Sequence, residues 1–280
     1  MRTKMFPDNG ITRRGFVTGS VLLAAGALLG ATPIIGAQRG PASAGPANPA
    51  LIEDLVAANR ILAQQGVLDG FGHVSVRHDR DPNRFLLARS LAPELVTAAD
   101  LLEFDLDGVP VDAKGNALYS ERFIHAEIYR ARPDVKAVVH NHSPAVIPFG
   151  VSSVPLRPVS HMAPFIGEKV PVFDIRQRFG ITDMLVNDSA KGRDLVRVLG
   201  NNTAVLMRGH GVSVVGATIP LVVGRSIYLE FNAKLQMQAM SLGGTVTYLD
   251  PGEAQKMMEA GENRAYDRPW LLWKRNAMGR

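Results

Sequence analysis

Three histidines have the types and the spacing of a metal site. His140 and His142 end the apolar run that begins at Ala137, and His210 lies between two glycines far downstream. In a β-strand the side chains of residues i and i+2 leave the same face, so the first two imidazoles converge while Asn141 faces away. A third imidazole from a glycine-flanked turn can complete a divalent-cation site with one position open. The alternative is that His140 ends a buried strand and His210 decorates a turn.

The elements that must position these histidines alternate between helix and strand. Hydrophobic periodicity predicts helices over residues 50–65, 121–132, 181–199 and 219–242 and strands over 136–140, 204–207 and 212–215. Short apolar runs lie at 73–77, 84–88, 101–104 and 169–173. The Asp107-Gly108 pair is a turn signal and suggests a hairpin. This order predicts a single α/β domain of three layers (α/β/α), with helices on both faces of a mixed central sheet.

Composition argues against a disordered protein and against a nucleic-acid-binding protein. The chain has 280 residues, 46% of them hydrophobic and 20% charged, which is typical of a globular protein with a real core. Its net charge of +5 is concentrated at the N-terminus, because residues 1–44 hold five basic side chains and one acidic side chain. The remaining chain is nearly neutral and gives no basic field for nucleic acid.

The first 44 residues are typical of a targeting segment. Arg13 and Arg14 resemble the twin-arginine export signal, a weakly apolar stretch follows at 17–37, and small residues at 42–44 suit cleavage before Gly45. We therefore expect an exported, periplasmic protein without stable membrane insertion after cleavage. The alternative is an uncleaved membrane anchor.

Three segments carry a family resemblance. They are YSERFIHAEIY at 119–129, AVVHNH at 137–142 and RGHG at 208–211. They resemble the class II aldolase/adducin superfamily, and the resemblance runs from about residue 51 to residue 247. It implies a catalytic domain over residues 50–247, followed by a tail at 248–280 that packs on the body or on a neighbouring subunit.

The resemblance implies a role for each functional residue. His140, His142 and His210 would bind one divalent metal ion per subunit, and Glu121 would be the catalytic acid/base. Zn²⁺ fits these ligands, with Mn²⁺ and Fe²⁺ as alternatives. The alternative for Glu121 is a plain first-turn helix acid. His125, four residues further on, is interpreted as a packed or hydrogen-bonded helix histidine, and His78 as a surface residue.

Departures from the sugar-phosphate members concern the substrate. His73 stands where those members carry an asparagine, in the segment Gly-His-Val-Ser, and their phosphate-loop Thr-Gly turn is replaced by Arg-Ser. These changes argue against recognition of a phosphate group on the substrate. Arg89 could instead pair with a substrate carboxylate. The candidate substrate-binding residues are His73, Ser75, Arg89, Ser90, Ser120 and His161. The variant resembles a branch with decarboxylases of hydroxylated aromatic acids and a non-haem iron oxygenase.

Three functions follow as hypotheses. The first is a metal-dependent lyase that cleaves a C–C bond, by aldol cleavage or decarboxylation, in a small oxygenated, non-phosphorylated acid. The second is a non-haem iron oxygenase acting on an aromatic or 2-oxo acid. The third is a non-catalytic adducin-like binding protein, which the retained histidines and Glu121 argue against.

The C-terminal tail suggests assembly. It carries Tyr248, Tyr266, Trp270, Leu271, Leu272 and Trp273. Aromatic and apolar side chains of this kind are enriched in interface cores, and family members commonly form tetramers, so we expect a homotetramer. The alternative is that the tail folds back on its own subunit.

Overall fold

The structure, a computed structural model, describes residues 40–261 and 266–279. In chain order its elements are α1 (Pro49–Gln64), β1 (His73–Arg77), β2 (Arg84–Ala88), β3 (Leu101–Asp105), α2 (Arg122–Ala131), β4 (Ala137–Asn141), α3 (Ile147–Val151), β5 (Val172–Phe173), α4 (Arg176–Phe179), α5 (Ser189–Leu199), β6 (Ala204–Met207), β7 (Gly211–Gly216), α6 (Ile219–Ser241), α7 (Pro251–Glu259) and α8 (Asp267–Ala277). The arginine pair and the apolar stretch at 17–37 lie outside the described residues, so the export signal stays a prediction. None of the described helices combines the length and hydropathy that a membrane span requires.

Within the described residues, seven strands form one mixed sheet. Their order is β3-β2-β1-β4-β7-β6-β5. All neighbours are antiparallel except β5 and β6, which are parallel. The register of the central strand β4 places His140 opposite His73 of β1 on one side and opposite Ser213 of β7 on the other. The sheet therefore brings the His-x-His strand next to both the Gly-His-Val-Ser strand and the strand that follows His210.

Helices cover both faces of the sheet, as predicted. α1, α6 and α8 pack together over one face, and α2 and α5 pack together over the other. Alternation along β4 sends Val139 into the first layer and Val138 into the second. Since His140 follows Val138 by two residues, its side chain lies on the α2 face.

The helix predicted over residues 181–199 is wrong over residues 181–188. α5 begins at Ser189, because Asp188 is its N-cap and accepts a hydrogen bond from the backbone N–H of Lys191 at 2.9 Å. Upstream, Met184 has a φ of 67°, a left-handed conformation that is incompatible with a continuous helix. Residues 181–188 form a loop instead, and this loop reaches the candidate site.

The described part of the tail packs on its own subunit. Trp270 of α8 is buried and belongs to the same core as α1. The ring of Tyr266 lies directly against α6, where a Cβ added to Gly224 would be 2.3 Å from it. Leu271 and Leu272 remain exposed on the other side of α8. The tail thus has a buried side that completes the subunit and an apolar side that faces outwards.

Candidate metal centre

The predicted ligands meet at one point. Ligand atoms of Glu121, His140, His142 and His210 all lie within 4.8 Å of one another. Nε2 of His140 is 3.2 Å from Nε2 of His142. Oε2 of Glu121 is 3.5 Å from Nε2 of His140 and 3.4 Å from Nε2 of His210. Ligands at about 2.0–2.1 Å from a tetrahedral ion are about 3.3–3.4 Å apart. The donor chemistry and the spacing therefore fit a divalent ion held by the three imidazoles.

The Gly-His-Gly turn between β6 and β7 delivers His210. Gly209 has a φ of 63°, which L side chains rarely adopt. A Cβ on Gly211 would lie 2.1 Å from the carbonyl oxygen of Asn141, so β7 can approach β4 here only with glycine. Nδ1 of His210 is 3.1 Å from the carbonyl oxygen of Met184. Donation of the Nδ1 proton to this oxygen leaves Nε2 available as a ligand.

Glu121 belongs to the cluster and is not a plain helix-terminal acid. It is the residue before α2, and its side chain makes no capping hydrogen bond with that helix. Oε1 accepts a hydrogen bond from the backbone N–H of Val186 at 2.9 Å. Burial by itself raises the pKa of Glu121, but hydrogen bonds to His140 and His210 outweigh burial and hold the pKa well below its ordinary value. The side chain is therefore a carboxylate at neutral pH.

The imidazoles differ in how readily they take a proton. Burial and the neighbouring His140 and His210 lower the pKa of His142 to about 4. Burial also lowers the pKa of His210, but Glu121 outweighs burial and raises it above its ordinary value. A metal ion would thus compete with a proton more at His210 than at His142.

The cluster opens into a cavity of about 510 Å³. The predicted residues His73, Ser90 and Ser120 line it beside Glu121, His142 and His210. No motif in the sequence indicates its apolar walls, which are Phe71, Leu91, Leu118, Tyr119 and Leu185. None of the described residues that line this cavity is Lys or Arg.

Three predicted substrate residues do not line this cavity. Nε of Arg89 is 2.7 Å from Oδ1 of Asp100, so its guanidinium pairs within the protein. Ser75 is fully buried. His161 is exposed and lines a different cavity, together with Tyr266 of the tail.

The surface position expected for His78 is also wrong. His78 is buried, and its Nε2 lies 3.1 Å from the carbonyl oxygen of Gly45. The segment before α1 covers it, which the local pattern around His78 does not reveal.

His125 is a hydrogen-bonded helix histidine, as interpreted, and it connects the cavity to the interior. Its Nε2 is 2.6 Å from Nδ1 of His73, and its Nδ1 is 2.6 Å from Oγ of Ser75. The same Oγ is 2.7 Å from the hydroxyl oxygen of Tyr129. Burial lowers the pKa of His125 to about 3 and raises the pKa of Tyr129, so both groups are neutral.

Comparisons with known proteins agree with this geometry. Residues 53–237 match the family described as Class II Aldolase and Adducin N-terminal domain. Decarboxylase tropJ of Talaromyces stipitatus is 35% identical over 246 residues, which span 80% of this chain and 92% of that protein. A 3,4-dihydroxyphthalate decarboxylase of Arthrobacter keyseri is 28% identical over 224 residues, which span 75% of this chain and 86% of that protein.

A solved structure supports the fold. The crystal structure of an aldolase II superfamily protein from Pseudomonas syringae superposes with a TM-score of 0.70 at 24% identity, covering 83% of this chain and 94% of that chain. The decarboxylase relatives support the prediction of a carbon–carbon lyase. The chain therefore belongs to the class II aldolase and adducin family.

Proposed function

We propose that the protein is a metal-dependent decarboxylase of a small, non-phosphorylated, hydroxylated aromatic acid. The observation that carries this proposal is the cluster of Glu121 and three imidazoles at a cavity with apolar walls and no described Lys or Arg. Arg and Lys are the usual side-chain partners of phosphate, so this lining favours another substrate. Phe71 and Tyr119 offer aromatic surfaces for a flat ring. The decarboxylase relatives support the same choice.

His140, His142 and His210 would hold the ion, with Glu121 beside it. We propose Zn²⁺ for these ligands, with Mn²⁺ and Fe²⁺ as alternatives. When bound, the metal would polarise adjacent substrate oxygens and stabilise the negative charge that develops as the C–C bond breaks.

Glu121 is the proton carrier of the proposed reaction. As a carboxylate, it accepts the proton of a substrate hydroxyl at Oε2. The bond between the ring carbon and the carboxyl carbon breaks, CO₂ leaves, and the electron pair stays on the ring. Glu121 then returns the proton to that ring carbon. The apolar walls of the cavity limit the access of water during these steps.

The test compares substrate classes on one preparation. The chain beginning at Gly45, loaded with Zn²⁺, Mn²⁺ or Fe²⁺, is incubated with 3,4-dihydroxyphthalate and, separately, with L-fuculose 1-phosphate. We expect release of CO₂ from the aromatic acid without oxygen uptake. Stoichiometric oxygen uptake would instead support the oxygenase hypothesis. Cleavage of the sugar phosphate alone would support a phosphate-dependent aldolase and contradict the proposal.

We further propose that the mature protein is periplasmic and homotetrameric. The paired Arg13 and Arg14 support export by the twin-arginine route. The exposed Leu271 and Leu272 support assembly. An uncleaved, membrane-anchored form is the alternative for location.

A further inference from the structure

We propose that Tyr129, Ser75 and His125 form a hydrogen-bond chain of fixed direction that holds His73 in its Nε2–H tautomer. His73 then presents one hydrogen-bond donor to the substrate cavity, and the other three side chains are positioning residues. The inference rests on the proposed role of the cavity as a substrate site, but not on which bond the enzyme breaks.

The chain is built from two pairs on two facing elements. His73 and Ser75 are two residues apart on β1 and leave the same face of the sheet. His125 and Tyr129 are four residues apart on α2 and lie on one side of that helix. Each hydrogen bond joins a residue of β1 to a residue of α2. His73 pairs with His125 at 2.6 Å, His125 with Ser75 at 2.6 Å, and Ser75 with Tyr129 at 2.7 Å. All four side chains are buried, so water does not compete for these hydrogen bonds.

The direction of the chain is set at Tyr129. Among the residues that the structure describes, Ser75 is the only side-chain partner of the Tyr129 hydroxyl. Among the described residues, no carbonyl oxygen accepts a hydrogen bond from this hydroxyl. A buried hydroxyl hydrogen without an acceptor is costly, and Tyr129 therefore donates to Oγ of Ser75. The Ser75 hydroxyl in turn donates to Nδ1 of His125.

The same reasoning fixes the tautomers of His125 and His73. A neutral His125 that accepts at Nδ1 carries its proton on Nε2, and this proton goes to Nδ1 of His73. A neutral His73 that accepts at Nδ1 must carry its own proton on Nε2.

This tautomer decides what His73 can do in the cavity that it lines. A protonated Nε2 cannot ligate a metal, so His73 is not a fourth imidazole ligand, although its ring centroid is 5.1 Å from that of His140. An N–H donor instead suits a substrate oxygen, above all a carboxylate.

Nitrogen NMR of the whole protein tests the assignment directly. Protein labelled with ¹⁵N-histidine is measured both loaded with Zn²⁺ and after treatment with EDTA, and His73→Gln identifies the His73 signals. One-bond and two-bond correlations then show which ring nitrogen carries the proton. We expect Nε2–H in both states. An Nδ1–H tautomer of His73 in either state would overturn the proposal.

Variants test the chain itself. Ser75→Ala removes the central link, and we expect the tautomer ratio of His73 to shift about five-fold towards Nδ1–H, the effect of one neutral hydrogen bond. Tyr129→Phe should shift the tautomer ratio of His73 in the same direction but less, because the Ser75 hydroxyl remains next to His125. The matched control is Ser213→Ala, which removes another fully buried serine hydroxyl, one that lies 3.7 Å from the sulfur of Met207. This control should leave the tautomer ratio of His73 unchanged.

Each outcome is informative. An unchanged ratio in both Ser75→Ala and Tyr129→Phe would show that the chain does not set the tautomer. If Ser75→Ala does not fold, the proposal is tested by the His73 tautomer ratio in Tyr129→Phe and by the His73 tautomer in the wild-type protein. A failure of the decarboxylase assay would leave the tautomer result standing, so the two proposals fail separately.

Discussion

At the scale of single residues, the chemical role of Glu121 can be separated from its role in folding. Glu121→Gln keeps an oxygen acceptor for the Val186 N–H but loses the charge that carries a proton. We expect near-normal metal content and a fall in kcat of about 10² to 10⁴, the usual effect of losing a positioned acid/base. Metal content and turnover are measured on the same sample.

The control is a second buried glutamate on the adjoining helix. Glu127 lies on α2 and pairs with Arg130 and Arg193, away from the cavity. Glu127→Gln should therefore keep its turnover. If Glu121→Gln also keeps near-normal turnover on the substrate, Glu121 is structural and the proposed mechanism is wrong.

The three imidazoles should act as one unit. His140→Ala, His142→Ala and His210→Ala are each expected to lose bound metal and activity together, because each removes one ligand of the same ion. Metal analysis of the purified variants checks this. His161→Ala is the control, since this exposed histidine lies outside the cluster and its loss should leave metal content unchanged. One metal per subunit in all three variants would contradict the assignment.

Residues whose roles follow from local geometry were predictable. His140 and His142 converge because strand side chains alternate, and His210 is delivered by a turn that needs its glycines. The motif positions of Ser75 and Arg89 predict that both contact the substrate. In the structure their side chains pair with His125 and Asp100, which belong to other segments of the chain, and no local spacing reveals such pairings.

At the scale of elements, the loop at 181–188 stands where the apolar spacing predicts a helix. Its apolar residues have spacing that a helix can accommodate, but left-handed backbone at Gly180 and Met184 prevents one. The loop supplies the carbonyl of Met184 to His210 and the N–H of Val186 to Glu121. A continuous helix would have used these backbone groups internally.

The turn between β6 and β7 gives a prediction at this scale. In Gly211→Ala the new Cβ meets the carbonyl oxygen of Asn141, a backbone atom that cannot move aside without disturbing β4. We expect a loss of about 1–3 kcal/mol in the free energy of unfolding, as for other overpacked sites, together with weaker metal binding through a displaced His210.

Thermal unfolding and metal affinity measure both effects. Gly244→Ala is the control, because a Cβ there meets nothing within 4 Å and its φ is not in the left-handed region. An unchanged melting temperature and metal affinity for Gly211→Ala would show that the turn tolerates a side chain.

At the scale of the whole molecule, the N-terminal segment predicts location. Replacing Arg13 and Arg14 with lysine should retain the protein in the cytoplasm, because the twin-arginine route depends on the paired arginines. The native protein should begin close to Gly45 in the periplasmic fraction. N-terminal sequencing checks this, and a soluble cytoplasmic protein beginning at Met1 would refute export.

Assembly is the other whole-molecule property, and α8 allows a sharp test. Deleting residues 264–280 would also remove Trp270 and Tyr266 from the subunit, so loss of assembly could not be separated from unfolding. Leu271 and Leu272 are 69% and 56% exposed, so they contribute little to the subunit core. Their replacement by aspartate should therefore spare the fold.

We expect the wild-type protein to be a homotetramer at micromolar concentration, because exposed adjacent apolar side chains favour burial against a second subunit. The double variant Leu271→Asp with Leu272→Asp should have a smaller mass by light scattering and an unchanged circular dichroism spectrum. Leu95→Asp, at a site 63% exposed and distant in sequence, should remain tetrameric. A tetrameric double variant would place the interface elsewhere than α8. A wild-type mass equal to one chain, with full activity, would show that the subunit works alone.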